Sequence, residues 1–430
     1  MGIDTSVRLQ GYNRAEEGDW RMVENFRRKT LGFRAFLAAG AMSVLLSACA
    51  ASEHKSAPAS VKAPGQLIET APLDAQLSLP GAARSLKITY LSTNGITGSG
   101  LVPVTAEVIL PPGTPPAGGW PIVAWSHGTV GIAESCAPSL HPYTERNRDY
   151  LSAWMQRGFA IVATDYQGLG GGGPHPYLNV RTEAYSVLDS VRAALAGVTG
   201  LQNKVMLVGQ SQGAGAAFGA AAYAPDYAPD LNIRGTVATG IPYMTPEVLS
   251  ALLTHQEQTS PKAKQAIQKQ DPVVAYGLLL GASLGNIDPN FKPEEAFTSK
   301  AMDAYHAASQ VCLAPLMQQV SKDGLTRRNA FTPTMGKALA PAFKGMMYPT
   351  LALKQPLFVG TGSQDLDVAA SSQKALVKAA CAAGTTVQAH VYKGLDHSQT
   401  VLASLPDSAV FTQAVMAGEP VSGSCTASTP

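Results

Sequence analysis

The residues with the clearest chemical potential lie in the stretch GQSQG, where Ser211 stands between two glutamines and two glycines. An apolar run, VMLV, precedes this stretch and an alanine-rich run follows it, which predicts a strand, a tight turn and a helix. Such a turn pushes the serine above the sheet, and bulky neighbours would clash with the returning helix. The pattern therefore predicts that Ser211 is a nucleophile; the alternative is a small-residue turn without chemistry.

A serine hydroxyl is a weak nucleophile and needs a base, usually a histidine, that an acid orients. After a strand–turn–helix nucleophile, the acid and then the histidine follow along the chain. Among the eight histidines, His397 alone comes after both the serine and a candidate acid, in a loop after the last predicted strand. The others are interpreted as packed, solvated or too early in the chain: His54, His127, His141, His175, His255, His306 and His390.

Three carboxylates near the ends of late strands compete for the role of the acid. Asp365 is preferred because it lies three residues after Gly362, in the loop that directly leaves a strand. Asp396 is adjacent to His397 in sequence, and a chain neighbour is poorly placed to accept the ring N–H. The sequence therefore predicts Asp365 as the acid, with Asp367 and Asp396 as loop or turn residues.

A reacting carbonyl oxygen that gains negative charge needs two backbone N–H donors. The first is predicted at Gln212, directly after the serine, where the N-terminus of the following helix also favours negative charge. The second is predicted at Thr129, in the loop after IVAWSHG. The alternative for this loop is a plain turn at the end of a strand.

The stretches that must position these residues alternate between strands and helices. Strands are predicted over 86–93, 104–112, 120–128, 159–168, 204–209, 233–241, 356–362 and 386–394, the first two antiparallel. Helices are predicted over 147–158, 181–197, 371–383 and 406–417. This α/β pattern, with continuous apolar strands, indicates a mostly parallel sheet with helices on both faces. Residues 242–349 break it with helical stretches, which predicts a core of 86–241 and 350–430 with an inserted, mainly helical cap.

The N-terminal residues indicate export. Residues 25–49 contain a basic stretch, a short apolar run and LSAC, the layout of a bacterial lipoprotein signal whose Cys49 receives lipid. A transmembrane anchor is the alternative, but the run is shorter than the ~20 residues that a span needs. The prediction is a polar extension (1–21), a signal peptide (22–48) and a flexible tether (49–85). The expected location is the periplasm or outer membrane as an anchored lipoprotein, or outside the cell as a secreted protein.

Composition and charge exclude other classes of function. The chain has 430 residues, of which 45% are hydrophobic, so wholesale disorder is not expected. Of the 32 basic and 30 acidic residues, seven and five lie in residues 1–48, which leaves 25 of each. Since no basic stripe with interleaved aromatic residues occurs, no nucleic acid is predicted as a partner.

Four cysteines remain after Cys49, an even number that favours two disulfides in an exported protein, with three possible pairings. They are Cys136, Cys312, Cys381 and Cys425. No two of them have metal-ligand spacing, so a zinc site is not expected. The chemistry assigned to the serine, acid and histidine requires neither a metal nor an organic cofactor.

Seven segments together resemble the secretory lipase (lipase A-like) family of α/β-hydrolases, over roughly residues 85–415: WSHGT, CAPS, DYQGLG, GPHPYL, VLDSVRAA, GQSQGA and DHS. The resemblance implies an α/β-hydrolase core with a helical cap and the hydrolysis of esters with acyl chains under the cap. It carries the nucleophile to Ser211, the acid to Asp365 and the base to His397. Fungal members have a different oxyanion loop from SHGTVGIAES, and the cap matches least well.

The same resemblance implies how the four cysteines pair. It implies one disulfide between Cys136, in the segment after the first oxyanion loop, and Cys312 in the cap. It implies a second disulfide between Cys381 and Cys425, which would hold the C-terminal tail.

The predicted function is that of a serine carboxylic-ester hydrolase, a lipase or esterase acting on acylglycerols or other fatty-acyl esters through an acyl-enzyme. The same triad would also serve acyl transfer or peptide cleavage, and a catalytically inactive surface binding protein is the alternative from another class. Apolar cap segments, 276–285 and 343–349 with Met346 and Met347, would line an acyl pocket or simply form the core of the cap.

The motif TDYQGLGGGG contains two further candidates, Asp165 and Tyr166. They are interpreted as structural residues that hold the turn at the end of a strand, with glycines that let the backbone pass close to the site. The functional alternative is that they support the oxyanion loop or border an acyl tunnel.

Overall fold

The structure is a computed structural model that describes residues 62–248 and 271–426. The predicted polar extension (1–21), the predicted signal peptide (22–48) and the predicted lipidation site Cys49 lie outside the described residues. Among the helices of the two described ranges, none combines the length and the apolar character that crossing a membrane requires.

Nine strands of the described residues form one sheet, with the spatial order β1-β2-β3-β5-β4-β6-β7-β8-β9. Strands β1–β9 are Leu67–Pro72, Arg84–Thr93, Leu101–Leu110, Trp120–Ser126, Ala160–Thr164, Leu201–Gln210, Ile233–Thr239, Leu357–Gly362 and Val387–Tyr392. The pairs β1–β2, β2–β3 and β3–β5 are antiparallel, and the five remaining pairs are parallel. The predicted α/β-hydrolase fold with a mostly parallel sheet is confirmed.

Strand β1 differs from the prediction that residues 49–85 form a flexible tether. Leu67–Pro72 pairs antiparallel with β2 at the edge of the sheet, and the Gly65 N–H donates to Leu91 O at 2.7 Å. The sequence LIETAP is short and mostly exposed, so it lacks the apolar run that marks a buried strand. The prediction of a tether was wrong for these residues because the strand is held by its partner rather than by its own propensity.

Different helices cover the two faces of the sheet. Helices α1–α13 of the described residues are Glu145–Gln156, Val180–Gly197, Gln212–Tyr227, Pro272–Ile287, Pro293–Ala296, Met302–Ala308, Leu313–Lys322, Arg327–Ala330, Met335–Ala338, Ala340–Gly345, Ala370–Ala382, Gln399–Ala403 and Leu405–Ala417. Short 3-10 helices are Ala75–Leu77, Glu134–Cys136, Pro138–Leu140, Ser299–Ala301 and Ser424–Thr426. One apolar cluster joins the sheet to α2, α3 and α11, and another joins the opposite face to α1, α12 and α13.

Small residues bring α3 close to α2 directly behind the nucleophile turn. A Cβ added at Gly219 would lie 2.5 Å from Val180 Cγ1, so the two helix axes approach more closely than a side chain at this position would allow. The alanine-rich sequence of α3 therefore serves packing, and it holds the start of the helix against the sheet.

Between β7 and β8 the described chain is helical and forms its own apolar core. Its longest described helix, α4, has Asp271 as its N-cap, whose side chain accepts from the Val273 N–H, and Pro272 is its first residue. Arg327 holds the same carboxylate in a buried ion pair, with Nε 2.8 Å from Oδ2. We call residues 272–345 the helical insertion; they lie within the predicted cap, whose residues 249–270 are outside the described residues.

Both disulfides implied by the resemblance are present. Cys136 is bonded to Cys312 and Cys381 to Cys425, with Cα–Cα distances of 5.5 and 5.4 Å. The first joins the segment after β4 to the start of α7 in the helical insertion, and the second joins α11 to the C-terminal segment.

Candidate active site

The predicted nucleophile lies on a strained turn between β6 and α3. Ser211 has φ +59° and ψ −124°, a conformation that residues other than glycine rarely adopt. A Cβ added at Gly213 would lie 1.8 Å from Ser126 O, and one at Gly209 would lie 1.9 Å from Gly213 O. The two glycines of GQSQG are therefore required by backbone packing around the turn.

Asp365 follows β8 and is held by four hydrogen bonds. Its Oδ1 accepts from the N–H groups of Asp367 and Val368 at 3.0 and 2.8 Å. Its Oδ2 accepts from Gln373 Nε2 at 2.9 Å and lies 2.7 Å from His397 Nδ1. Because these contacts fix both carboxylate oxygens, Asp365 can orient the imidazole without rotating.

His397 is buried in the loop between β9 and α12, and its Nδ1 faces Asp365. Burial opposes a charge on the ring, but the hydrogen bond and the negative charge of Asp365, together with the charge of Asp367, hold the pKa of His397 above its usual value. The acid and base that were predicted from chain order are thus in direct contact. Nε2 is the ring nitrogen that does not face the carboxylate.

The other two candidate carboxylates have different partners. Asp367 Oδ1 accepts a hydrogen bond from the Tyr276 hydroxyl of α4. Asp396 Oδ1 accepts from the N–H groups of Ser398 and Gln399 at 3.0 and 2.8 Å, so it stabilises its own turn. Neither carboxylate forms a hydrogen bond with His397 in the structure, as expected of loop and turn residues.

One contact of His397 has no signal in the sequence. Gln210 Nε2 lies 2.8 Å from His397 Nε2, and both side chains are buried. No hydrogen bond joins Ser211 Oγ to His397 within the described residues. The glutamine could be singled out only by its place in GQSQG, next to the serine.

The predicted backbone donors belong to two residues that line the same cavity as the serine. The N–H groups of Gln212 and Thr129 form no hydrogen bond with any described residue, and both residues line the same cavity as Ser211. The Thr129 hydroxyl is 2.8 Å from the Tyr177 hydroxyl, a contact that anchors the loop after β4. Two free N–H groups beside a serine are what a negatively charged carbonyl oxygen requires.

The side chain of Gln212 is held by a buried polar network that the sequence analysis did not identify. Its Nε2 donates to Glu183 Oε1 at 2.7 Å and lies 3.2 Å from His175 Nε2. The Leu178 N–H also donates to Glu183 Oε1, at 3.0 Å. Burial raises the pKa of Glu183 to about 8 and lowers the pKa of His175 to about 4. At neutral pH both side chains are therefore mainly uncharged.

Two cavities meet at the serine, and both are lined by Thr129, Ser211, Tyr276 and Asp367. The inner cavity extends into the helical insertion and has a largely apolar lining that includes Val273, Leu280, Phe331, Met335, Phe343 and Met346. The outer cavity has a more polar lining that includes His141, Arg146, Asn147, Asp396, His397 and Ser398.

The structure separates the two methionines that were predicted together as pocket residues. Met346 is buried and lines the inner cavity, whereas the side chain of Met347 is 50% exposed and lines neither cavity. The prediction was wrong for Met347 because the two residues follow the last turn of α10, where neighbours in sequence point in different directions.

Asp165 and Tyr166 contact the backbone and the side chains of the surrounding segments, and their partners fit both interpretations: Asp165 holds the turn at the end of β5, and Tyr166 contacts the predicted oxyanion loop. Asp165 accepts from the Ser139 N–H at 2.9 Å, from Ser139 Oγ at 2.6 Å and from Thr105 Oγ1 at 2.5 Å. The Tyr166 hydroxyl donates to His127 O at 3.0 Å. The Tyr166 bond holds the end of β5 against the loop that leads to Thr129, and the Asp165 bonds hold it against β3 and the segment that contains Ser139.

Comparison with known proteins agrees with this geometry. Residues 143–253, which include Ser211, match the family model described as secretory lipase. The fold is similar to that of Candida antarctica lipase A in its closed state, with a TM-score of 0.67 and 21% identity over 85% of each chain. It is also similar to LipA, a rice cell wall degrading esterase from Xanthomonas oryzae, with a TM-score of 0.62 and 17% identity over 83% of this chain and 100% of that chain.

No curated protein matches the chain in a comparison of sequences. The family match is confined to about a quarter of the chain, whereas the similarity in fold extends over most of it. Together they confirm the predicted resemblance to the secretory lipases and support an ester hydrolase built on the α/β-hydrolase fold.

Proposed function

We propose that this protein is an exported serine ester hydrolase, a lipase or esterase, in which Ser211, His397 and Asp365 act as nucleophile, base and acid. The observation that carries the proposal is the 2.7 Å contact between His397 Nδ1 and Asp365 Oδ2, next to a serine on a strained strand–helix turn. Such a pair keeps the proton on Nδ1 and leaves Nε2 as the acceptor.

The proposed reaction has two halves. Ser211 Oγ attacks the carbonyl carbon of the ester as His397 Nε2 takes the hydroxyl proton, and the N–H groups of Gln212 and Thr129 bind the oxyanion. The bond to the leaving oxygen then breaks, and His397 returns the proton to the alcohol. In the second half, water attacks the acyl-enzyme with the same base, and the acid is released.

The two cavities suggest how the ester lies across the serine. A fatty-acyl chain fits the inner cavity because its lining is largely apolar and it extends away from Ser211. The alcohol then occupies the outer cavity, whose polar groups and His397 are placed to protonate and solvate it. This arrangement supports fatty-acyl esters such as acylglycerols as substrates.

Reaction with a fluorophosphonate probe tests the mechanism. We expect the purified protein to be labelled and to hydrolyse p-nitrophenyl esters from acetate to oleate. Ser211→Ala should abolish labelling and reduce turnover on the order of 10⁴-fold or more. Ser321→Ala is the matched control, since this serine is exposed on α7 and lines neither cavity.

Each alternative has its own outcome in this experiment. An unlabelled protein that hydrolyses no ester would contradict the proposal and favour an inactive binding protein. A labelled protein that cleaves peptides, or that transfers acyl groups to alcohols faster than to water, would show the same triad in another reaction.

Export and lipid attachment are a separate part of the proposal. The two disulfides and the family match are consistent with an exported protein. Cys49 is the proposed attachment site for the lipid. Metabolic labelling with an alkynyl fatty acid should label the wild-type protein and not Cys49→Ser, and equal labelling of both would contradict this site.

A further inference from the structure

The nitrogen of His397 that the proposed mechanism needs already has a partner. Gln210 Nε2 lies 2.8 Å from His397 Nε2. Because Nδ1 of the ring faces a carboxylate oxygen of Asp365 at 2.7 Å, Nδ1 carries the proton and Nε2 is the acceptor. The amide N–H of Gln210 therefore occupies the lone pair that would take the proton of the serine.

Arg146 determines which end of the Gln210 amide faces the imidazole. Its Nη2 donates to Gln210 Oε1 at 3.3 Å, and its Nη1 donates to Ser398 Oγ at 3.1 Å. A guanidinium group has donors and no acceptor, so it pairs only with the oxygen end of the amide. The nitrogen end must then point toward His397, and the orientation does not depend on the contact with His397 alone.

The Gln210 amide and the Ser211 hydroxyl compete for one site. A neutral imidazole has a single in-plane lone pair, on the nitrogen that lacks the proton. In keeping with this, Ser211 Oγ has no hydrogen bond to His397 in the structure. Since Gln210, Ser211 and His397 line the same outer cavity, a movement of the ring toward the serine would exchange one partner for the other.

We propose that Gln210 is a positioning residue that holds His397 in a resting arrangement, with its proton-accepting nitrogen occupied until the serine hydroxyl displaces the amide. This inference rests on the proposed function, because it concerns the same base. It gives the residue between Gly209 and Ser211 a role in addition to filling space in the turn.

The proposal has a consequence for the charge on His397. An N–H donor stabilises the neutral ring, because a protonated ring would direct a second N–H against the amide N–H. Burial of the ring and the charge of Arg146 on α1 oppose protonation in addition to Gln210, whereas Asp365 and Asp367, in the loop after β8, favour it. Tyr276 of the helical insertion donates a hydrogen bond to Asp367.

Titration of His397 by NMR tests the inference independently of activity. In the purified protein with ¹³C-labelled histidine, the His397 signal is assigned by its loss in His397→Gln. We expect Gln210→Met, which is similar in length and has no donor, to raise the pKa of His397 by about half a unit to one unit, the size of one net hydrogen bond. Gln210→Leu should give the same direction, and Gln388→Met, the same substitution on β9, should leave this pKa unchanged.

An unchanged or lowered pKa of His397 in folded Gln210→Met or Gln210→Leu would overturn the proposal. A lowered pKa would mean that the oxygen end of the amide faces the ring and that Gln210 stabilises the charged form. Thermal unfolding of each variant shows that the measured protein is folded, and the two non-donor variants provide independent measurements.

The rate of fluorophosphonate labelling gives a second readout. When this rate is plotted against pH, we expect the acidic limb of the profile to move to higher pH in Gln210→Met, by the same amount as the pKa of His397. The reason is that only neutral His397 can accept the serine proton. Above this limb the labelling rate should equal or exceed that of the wild type, since the competing amide is gone. A limb at the wild-type pH would contradict the inference. If the wild-type protein is not labelled at all, the proposed function fails, and the NMR titration alone decides the role of Gln210.

Discussion

Cys312 at the start of α7 is bonded to Cys136 in the segment after β4, with 5.5 Å between their Cα atoms. Next to this disulfide, Gly131 and Cys312 form an isolated β-bridge, and the Leu313 N–H donates to Val130 O at 2.7 Å. These contacts attach the helical insertion to the loop that carries Thr129. One attachment therefore positions both the insertion around the inner cavity and the second proposed oxyanion donor.

Removing this disulfide should affect stability and turnover together. We expect Cys136→Ser/Cys312→Ser to lower the free energy of unfolding by about 2–5 kcal/mol, as for other native disulfides. Ester kcat/KM should fall several-fold because Thr129 is less well positioned.

The control, Cys381→Ser/Cys425→Ser, removes a disulfide that lines neither cavity. It should lower stability with kcat/KM near the wild-type value; an equal loss of turnover in both variants would contradict the assignment.

Gly240, directly after β7, leaves the space in which the imidazole of His397 lies. A Cβ added at Gly240 would be 2.5 Å from His397 Cε1 and 2.7 Å from Nδ1, and its φ is +63°. We expect Gly240→Ala to displace the ring from Asp365 and to lower kcat for ester hydrolysis at least tenfold, measured by steady-state kinetics. Such a loss is reasonable because a misplacement of about 1 Å can cost on the order of 10²-fold.

The matched control separates this clash from backbone strain. Gly81 also has a positive φ, +78°, but a Cβ there would meet no atom within 4 Å. Gly81→Ala should therefore cost stability and leave kcat unchanged. If the two variants had the same kcat, close packing against His397 would not be the reason for glycine at position 240.

Much of the fold followed from local patterns, because buried strands are continuous apolar runs and amphipathic helices repeat every three to four residues. The order of Ser211, Asp365 and His397 also followed from the chemistry and the fold together. β1 could not be predicted, since its sequence is short and mostly exposed and forms a strand only through pairing with β2. The contact of Gln210 with His397 joins residues 187 positions apart, and no local pattern encodes which side chain meets the ring.

Two adjacent methionines provide a test of the inner cavity as the acyl site. Met346 lines the cavity and Met347 is half exposed. We expect Met346→Trp to shorten the preferred acyl chain, because the larger side chain fills part of the space away from the serine. Comparing kcat/KM for p-nitrophenyl esters of increasing length measures the shift. Met347→Trp should leave the profile unchanged, and a wild-type profile in both variants would reject the acyl role of this cavity.

Glu183 should make the folded protein less stable as the pH rises. Burial raises its pKa from 4.5 to about 8, so between these values the folded state keeps a proton that the unfolded state releases. The unfolded state then binds fewer protons, and the free energy of unfolding falls with pH across this window, by at most about 1.4 kcal/mol per pH unit for one group. Glu183→Gln removes the titration and keeps an oxygen for the Gln212 and Leu178 donors. The slope of the free energy of unfolding against pH, measured by urea unfolding at pH 5 to 8, should therefore become shallower.

Glu107, whose pKa burial also raises to about 8, provides the comparison. Glu107→Gln should flatten the slope by a similar amount and the double variant by more, whereas a wild-type slope in Glu183→Gln would mean that Glu183 is already ionised in the folded protein.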